Sequence, residues 1–115
     1  MNMKLLLAAV LAASSVPALA AGDAEAGKAV VEKFNCASCH GKDLNSPIDP
    51  TYPKLAGQHA DYIVEALKEY QRGTGGPNGR GNAIMGAQAK ALSHADILNV
   101  AAYIHSLPGN LVLKK

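Results

Sequence analysis

Cysteine is scarce in this 115-residue chain, and its two copies, Cys36 and Cys39, form a single C-x-x-C pair. A structural zinc site needs four Cys or His ligands at matched spacing, so the lack of a second pair argues against zinc. A thioredoxin-type redox pair shares the spacing but belongs ahead of a helix in a βαβ context. No alternating β-branched strand lies upstream of Cys36. An excess of one charge is also missing, with 11 Lys and Arg against 9 Asp and Glu. With no tryptophan, one phenylalanine and four tyrosines, the chain shows neither a basic stripe nor an interleaved aromatic platform of the kind that binds nucleic acid. There is no internal repeat, which leaves one domain as the expectation.

The one long apolar run stands at the start. Lys4 precedes Leu5 to Val16, followed by Pro17 and the small-residue site Ala18-Leu19-Ala20. The run is short for a bilayer-spanning helix of about 20 residues and ends in an A-x-A pattern. Residues 1–20 therefore read as a secretory signal peptide cleaved before Ala21. Removing 20 of the 115 residues leaves a mature chain of 95, with ten basic against nine acidic side chains once Lys4 is gone. The mature protein is expected to be periplasmic, nearly neutral and free of a membrane span. A domain this small has a modest core and needs a staple.

That staple is suggested by Cys36-Ala37-Ser38-Cys39-His40, a C-x-x-C-H pentapeptide. Two thiols a turn apart can add to the two vinyl groups of one porphyrin edge, which sets the adjacent imidazole beneath the iron. A simple disulfide is the competing reading. The adjoining His40 and the export signal favour covalent c-type haem, one per chain.

Around the motif the pattern is helical. Gly22 and Asp23 can start a helix over Ala24 to Phe34, with Ala24, Val30, Val31 and Phe34 as its apolar positions. Gly41 to Gly57 is rich in turn residues and reads as loop. From His59 to Gln71, Tyr62, Ile63, Ala66, Leu67 and Tyr70 recur at helical intervals, with Gly73 to stop the helix. Gly73 to Gly81 holds five glycines and a proline in nine positions, which marks a surface loop. A short helix is expected over Gly86 to Leu92. Ser93-His94-Ala95-Asp96 resembles a capping box ahead of Ile97, Val100, Ala101 and Ile104, giving a last helix that ends before Pro108-Gly109. Nothing reads as sheet, so the fold class is all-α.

An all-helical pattern around C-x-x-C-H with a methionine well downstream resembles the class I cytochromes c, and is similar to the single-haem bacterial periplasmic type called cytochrome c-553. The likeness covers nearly all of residues 22–107. It is carried by Cys36 to Gly41, by Tyr52-Pro53-Lys54-Leu55-Ala56-Gly57-Gln58, by Tyr62 to Gly73, by Ile84-Met85, and by Leu92-Ser93 through Ala101-Ala102-Tyr103-Ile104. The resemblance implies three to five helices around the haem across residues 21–115, with Cys36 and Cys39 as thioether anchors and His40 and Met85 as axial iron ligands. Met85 is also the one methionine of the mature chain. His59, His94 and His105 are the rival ligands. The likeness further implies that the Pro53 carbonyl orients His40, and that Gly27 and Tyr103 meet where the first and last helices cross. On the distal side Asn82, Tyr62 and Tyr70 are open alternatives for a hydrogen bond to the Met85 sulfur or a propionate. One stretch departs from the pattern. Where related proteins often read Gly-x-Arg, this chain has Gly73-Thr74-Gly75 and then a glycine-rich insertion carrying Arg80, whose contact is left open.

Two protein ligands leave no open iron position for substrate, so the chemistry is one-electron transfer and the protein is not an enzyme. A methionine ligand raises the reduction potential relative to two histidines. The expected role is a shuttle from a quinol-oxidising complex or dehydrogenase to a terminal oxidase or reductase of a respiratory chain. The alternatives are a haem-binding subunit of a dehydrogenase and a haem enzyme or sensor with a labile sixth ligand.

Overall fold

A computed structural model describes residues 22–110, so the expected signal peptide, its cleavage site and the last five residues lie outside the described part. The described residues form five helices and no strand: α1 (Ala24–Lys33), α2 (Ala37–His40), α3 (Ala60–Arg72), α4 (Ala83–Lys90) and α5 (His94–Ser106). The all-α expectation holds. None of these helices is long and apolar enough to cross a membrane.

Helix α1 starts where the Asp23 carboxylate accepts hydrogen bonds from the backbone N–H of Glu25 (2.9 Å) and Ala26 (3.3 Å), relieving donors that a first turn leaves unpaired. Asp23 N–H itself donates to the side-chain oxygen of Asn99 at 2.9 Å, which ties the start of α1 to α5. The helix ends one residue earlier than expected, with Phe34 as its C-cap rather than its last turn. α1 and α5 cross closely, as the Gly27–Tyr103 pairing predicts. A Cβ on Gly27 would collide with the Asn99 carbonyl and stand 2.7 Å from Tyr103 Cβ, so only glycine lets the two backbones approach this far.

The last helix carries the full capping box. Asp96 N–H donates to Ser93 Oγ and Ser93 N–H to the Asp96 carboxylate, each at 3.0 Å. Its Val100, Ala101 and Ile104 join Val30, Val31, Leu44, Ala56 and Ile63 in the buried cluster. Helix α4 departs most from expectation. It starts three residues before Gly86 because Asn82, two residues past the glycine-rich loop's Arg80, acts as its N-cap; the Asn82 side-chain oxygen accepts from the N–H of Ile84 (3.0 Å) and Met85 (2.9 Å). The expected span, Gly86 to Leu92, is thus shifted towards the N-terminus, because the Asn82 cap sets the start and the helix ends at Lys90 with Ala91 as its C-cap.

Candidate cofactor site

The apolar stripe of α3 packs against α5, where Ile63 joins Val100, Ala101 and Ile104 in the buried cluster, and it also faces open space. Tyr62, Ile63, Ala66, Leu67 and Tyr70, the positions whose spacing marks the helix, all line one cavity of about 360 Å³. Val30 and Val31 of α1 and Val100 and Ile104 of α5 line it as well. Protein interiors pack with few voids larger than a water molecule, and a dry hole of this size would be costly. The core residues present explain the shortfall, since Leu44 and Ile97 are the largest side chains fully buried among the described residues. A bulky apolar group is what the cavity fits.

The side chains expected to hold such a group all reach this cavity. Cys36, Cys39, His40 and Met85 all line it, the first three from one turn and Met85 from α4. The turn is tightly fixed. His40 and Cys39 N–H groups donate to the Cys36 carbonyl (3.1 and 3.2 Å), Ile48 N–H to the Cys39 carbonyl (3.1 Å) and Ser38 Oγ to the Asn35 carbonyl (2.8 Å). Gly41 ends α2 at φ 89°, in the left-handed region, where a Cβ would strike the Ser46 carbonyl. No disulfide joins the two cysteines, and burial, with Cys39 nearby, pushes the Cys36 thiol up.

His40 is buried at 6% exposure, and its Nδ1 lies 2.9 Å from the Pro53 carbonyl oxygen. A carbonyl can only accept, so Nδ1 carries the proton, the tautomer whose lone pair lies on Nε2. This is the arrangement by which a metal-bound histidine is generally oriented. The segment that supplies the carbonyl is anchored in turn, because the N–H groups of Leu55 and Ala56 both donate to the Leu44 carbonyl, at 2.7 and 3.0 Å. Asp43 and Asp49 shape the same loop by accepting from Asn45 and Ser46 and from Thr51. These hydrogen bonds hold both carboxyls below the usual carboxylate range. Their contribution is present above the ordinary carboxylate pKa of about 4 and is lost as pH falls through the lowered values.

The rival histidines are elsewhere. His59 and His105 form a near-parallel pair, ring centroids 6.5 Å apart, with His105 Nδ1 3.0 Å from the Gln58 carbonyl; His94 opens α5 and is exposed. None of the three lines the cavity. Among the distal candidates, Asn82 and Tyr62 also have protein partners. Asn82 spends its side-chain oxygen on the α4 cap, and the Tyr62 hydroxyl accepts from Arg80 at 3.4 Å. Arg80 pairs with the Glu69 carboxylate and lies 5.7 Å from the ring centroids of both Tyr62 and Tyr70. Two residues that periodicity did not mark also matter. Glu69 is the partner of Arg80, and Gln71 Nε2 donates to the carbonyls of Ala89 (2.8 Å) and Leu92 (3.0 Å), fastening the far end of α4. Polar residues on a half-buried helix face carry no local signal for such reach.

Known proteins resemble this arrangement along most of its length. The family described as cytochrome c matches residues 24–108. Cytochrome c4 of Stutzerimonas stutzeri is 42% identical over 96 residues, which are 80% of this chain and 44% of that protein. Cytochrome c-554(548) of Halomonas halodenitrificans is 40% identical over 86 residues, 75% of this chain and 98% of that protein. A crystal structure of reduced recombinant cytochrome c4 from Pseudomonas stutzeri superposes with a TM-score of 0.67 at 38% identity, covering 78% of this chain and 48% of the other. The chain thus spans less than half the length of the cytochrome c4 proteins it matches.

Proposed function

The chain belongs to the cytochrome c family, and from that premise we propose that it is a periplasmic one-electron carrier, exported by residues 1–20, with one haem held by Cys36 and Cys39 and with His40 and Met85 as the axial ligands of its iron. The observation that carries this reading is the convergence of these four side chains on one apolar cavity. When bound, the haem supplies an iron that gains and loses a single electron. The residues around it do the rest. Pro53 keeps the His40 proton on Nδ1 and so leaves Nε2 free to ligate. Val30, Ile63, Val100 and Ile104 exclude water from the cavity, and Met85 closes the sixth position to substrate. With both axial positions taken by protein, a respiratory shuttle between a quinol-oxidising complex or dehydrogenase and an oxidase or reductase is the role that fits.

Two measurements on periplasmic material test the reading. In acid and organic solvent the haem should stay with the polypeptide, and free extraction would refute covalent attachment. The oxidised protein should show the weak long-wavelength sulfur-to-iron band; a spectrum of two imidazoles would transfer the sixth position to a histidine. The same sample should have a mass that starts at Ala21, and an intact Met1 in a membrane fraction would mean a tethered protein instead.

A further inference from the structure

Helix α4 has little to hold it. Ala89 is its one buried residue, and Ile84 beside Met85 is 54% exposed. The tip of the loop that leads into it is no better packed, since a Cβ on Gly73, Gly75 or Gly76 would meet nothing within 4 Å, although Gly79 and Gly81 close back against Gly73 and Thr74. Both ends of this loop are nevertheless gathered at one residue of α3. The Glu69 carbonyl accepts the N–H of Gly73 and of Arg80, each at 3.0 Å, and the Glu69 carboxylate takes the Arg80 guanidinium. The guanidinium lies over the faces of Tyr62 and Tyr70 and donates to the Tyr62 hydroxyl. Two residues on, Asn82 caps α4 through the N–H of Met85 itself. Arg80 is therefore the last point anchored to α3 before the sulfur-bearing turn, while Gln71 fastens the other end of the helix.

We propose that the Arg80–Glu69 pair is a latch that positions Met85, holding the first turn of α4 against α3 so that the sulfur keeps the iron's sixth position closed to outside ligands. This rests on Met85 as the ligand, and Arg80, which itself lines the cavity, and Glu69 act on the sulfur through Asn82 and the helix start. The pair is partly exposed, its side chains at 37% and 27%, so its effect is that of one charge-assisted hydrogen bond rather than of a core contact. Releasing it frees the loop locally, because the α1–α5 crossing and the His40 side share no contact with it among the hydrogen bonds above.

The test uses the oxidised holoprotein at neutral pH, with imidazole as the outside ligand, at concentrations where its rate of entry saturates at the rate of sulfur dissociation. Wild type, Glu69→Gln, Arg80→Gln and Arg80→Lys are compared, with Ser93→Ala as a control that loosens α5 by removing its cap. The limiting rate should rise about tenfold in both Gln variants, the scale of one hydrogen bond to a charged group. It should rise less in Arg80→Lys, which keeps the charge, and stay at the wild-type value in Ser93→Ala. Limiting rates within twofold of wild type in both Gln variants would overturn the latch alone, and so would an equal rise in Ser93→Ala, which would signal general loosening. A wild-type spectrum without the sulfur band would overturn the Met85 reading and the latch with it.

Discussion

The two walls that bring ligands to the cavity are built in opposite ways. On the motif side, Cys36 to Pro53 is pinned by backbone hydrogen bonds: Cys36, Cys39 and Leu44 carbonyls accept within or across the loop, Gly41 takes a left-handed turn, and the imidazole is buried and oriented by a carbonyl. On the α4 side the sulfur rides on a short helix with one buried residue, held mainly by side chains, the Asn82 cap, the Arg80–Glu69 pair and the Gln71 amide, beside one backbone bond from Arg80 N–H to the Glu69 carbonyl. Backbone pairing is lost only when the chain unfolds, whereas a side-chain clip can open alone at small cost. In the carrier proposed above, His40 would be a ligand as permanent as the fold and Met85 a conditional one.

The largest test of this contrast removes each wall's chemistry in turn. Replacing both Cys36 and Cys39 by Ser should leave the chain without bound haem and, with the cavity empty, without a cooperative thermal transition, because the porphyrin is the missing part of the core. Met85→Ala should instead keep covalent haem and a cooperative transition while losing the sulfur-to-iron band and lowering the reduction potential. If Met85→Ala unfolds the protein as completely as the double serine variant, the two walls are equivalent and the contrast fails.

A smaller effect compares two caps. Asn82→Ala and Ser93→Ala each remove an N-cap worth about 1 kcal/mol. On the packed α5 that loss should appear in the global unfolding free energy. On α4 it should appear mainly as faster amide exchange over residues 83–86 with little change in global stability. Equal losses in global stability would show that α4 unfolds with the rest of the domain.

The smallest expected effect concerns docking. The chain's formal charge is +2 before cleavage of the expected signal, and exposed charges beyond about 8–10 Å are screened at ordinary salt. Ile48, Ile84 and Tyr62 are the exposed large apolar side chains, and Tyr62 and Ile84 lie at the cavity rim. The bimolecular electron-transfer rate with a partner should therefore change only weakly across a salt series in stopped flow. A steep monotonic fall would locate docking on a charged patch such as Lys42 with Lys54.

By itself the sequence determined the chemistry and most of the frame. C-x-x-C-H is legible because five adjacent residues hold both proposed haem anchors and one of the two proposed iron ligands, and the stripes of α3 and α5 and the box at Ser93 are local patterns that report local structure. The resemblance added Pro53, Gly27 and Tyr103, and the structure places each in the contact it implied. Only the tertiary structure decided that α4 begins at Ala83, that Asn82 is a cap, that Arg80 belongs to Glu69 and two tyrosines, that Gln71 reaches Ala89 and Leu92, and that the α3 stripe lines a cavity as well as packing on α5. These contacts join residues that are far apart in the chain or separated by a glycine-rich loop. Their geometry depends on how the loop closes, and a loop without side-chain packing leaves no periodic trace from which that closure can be read.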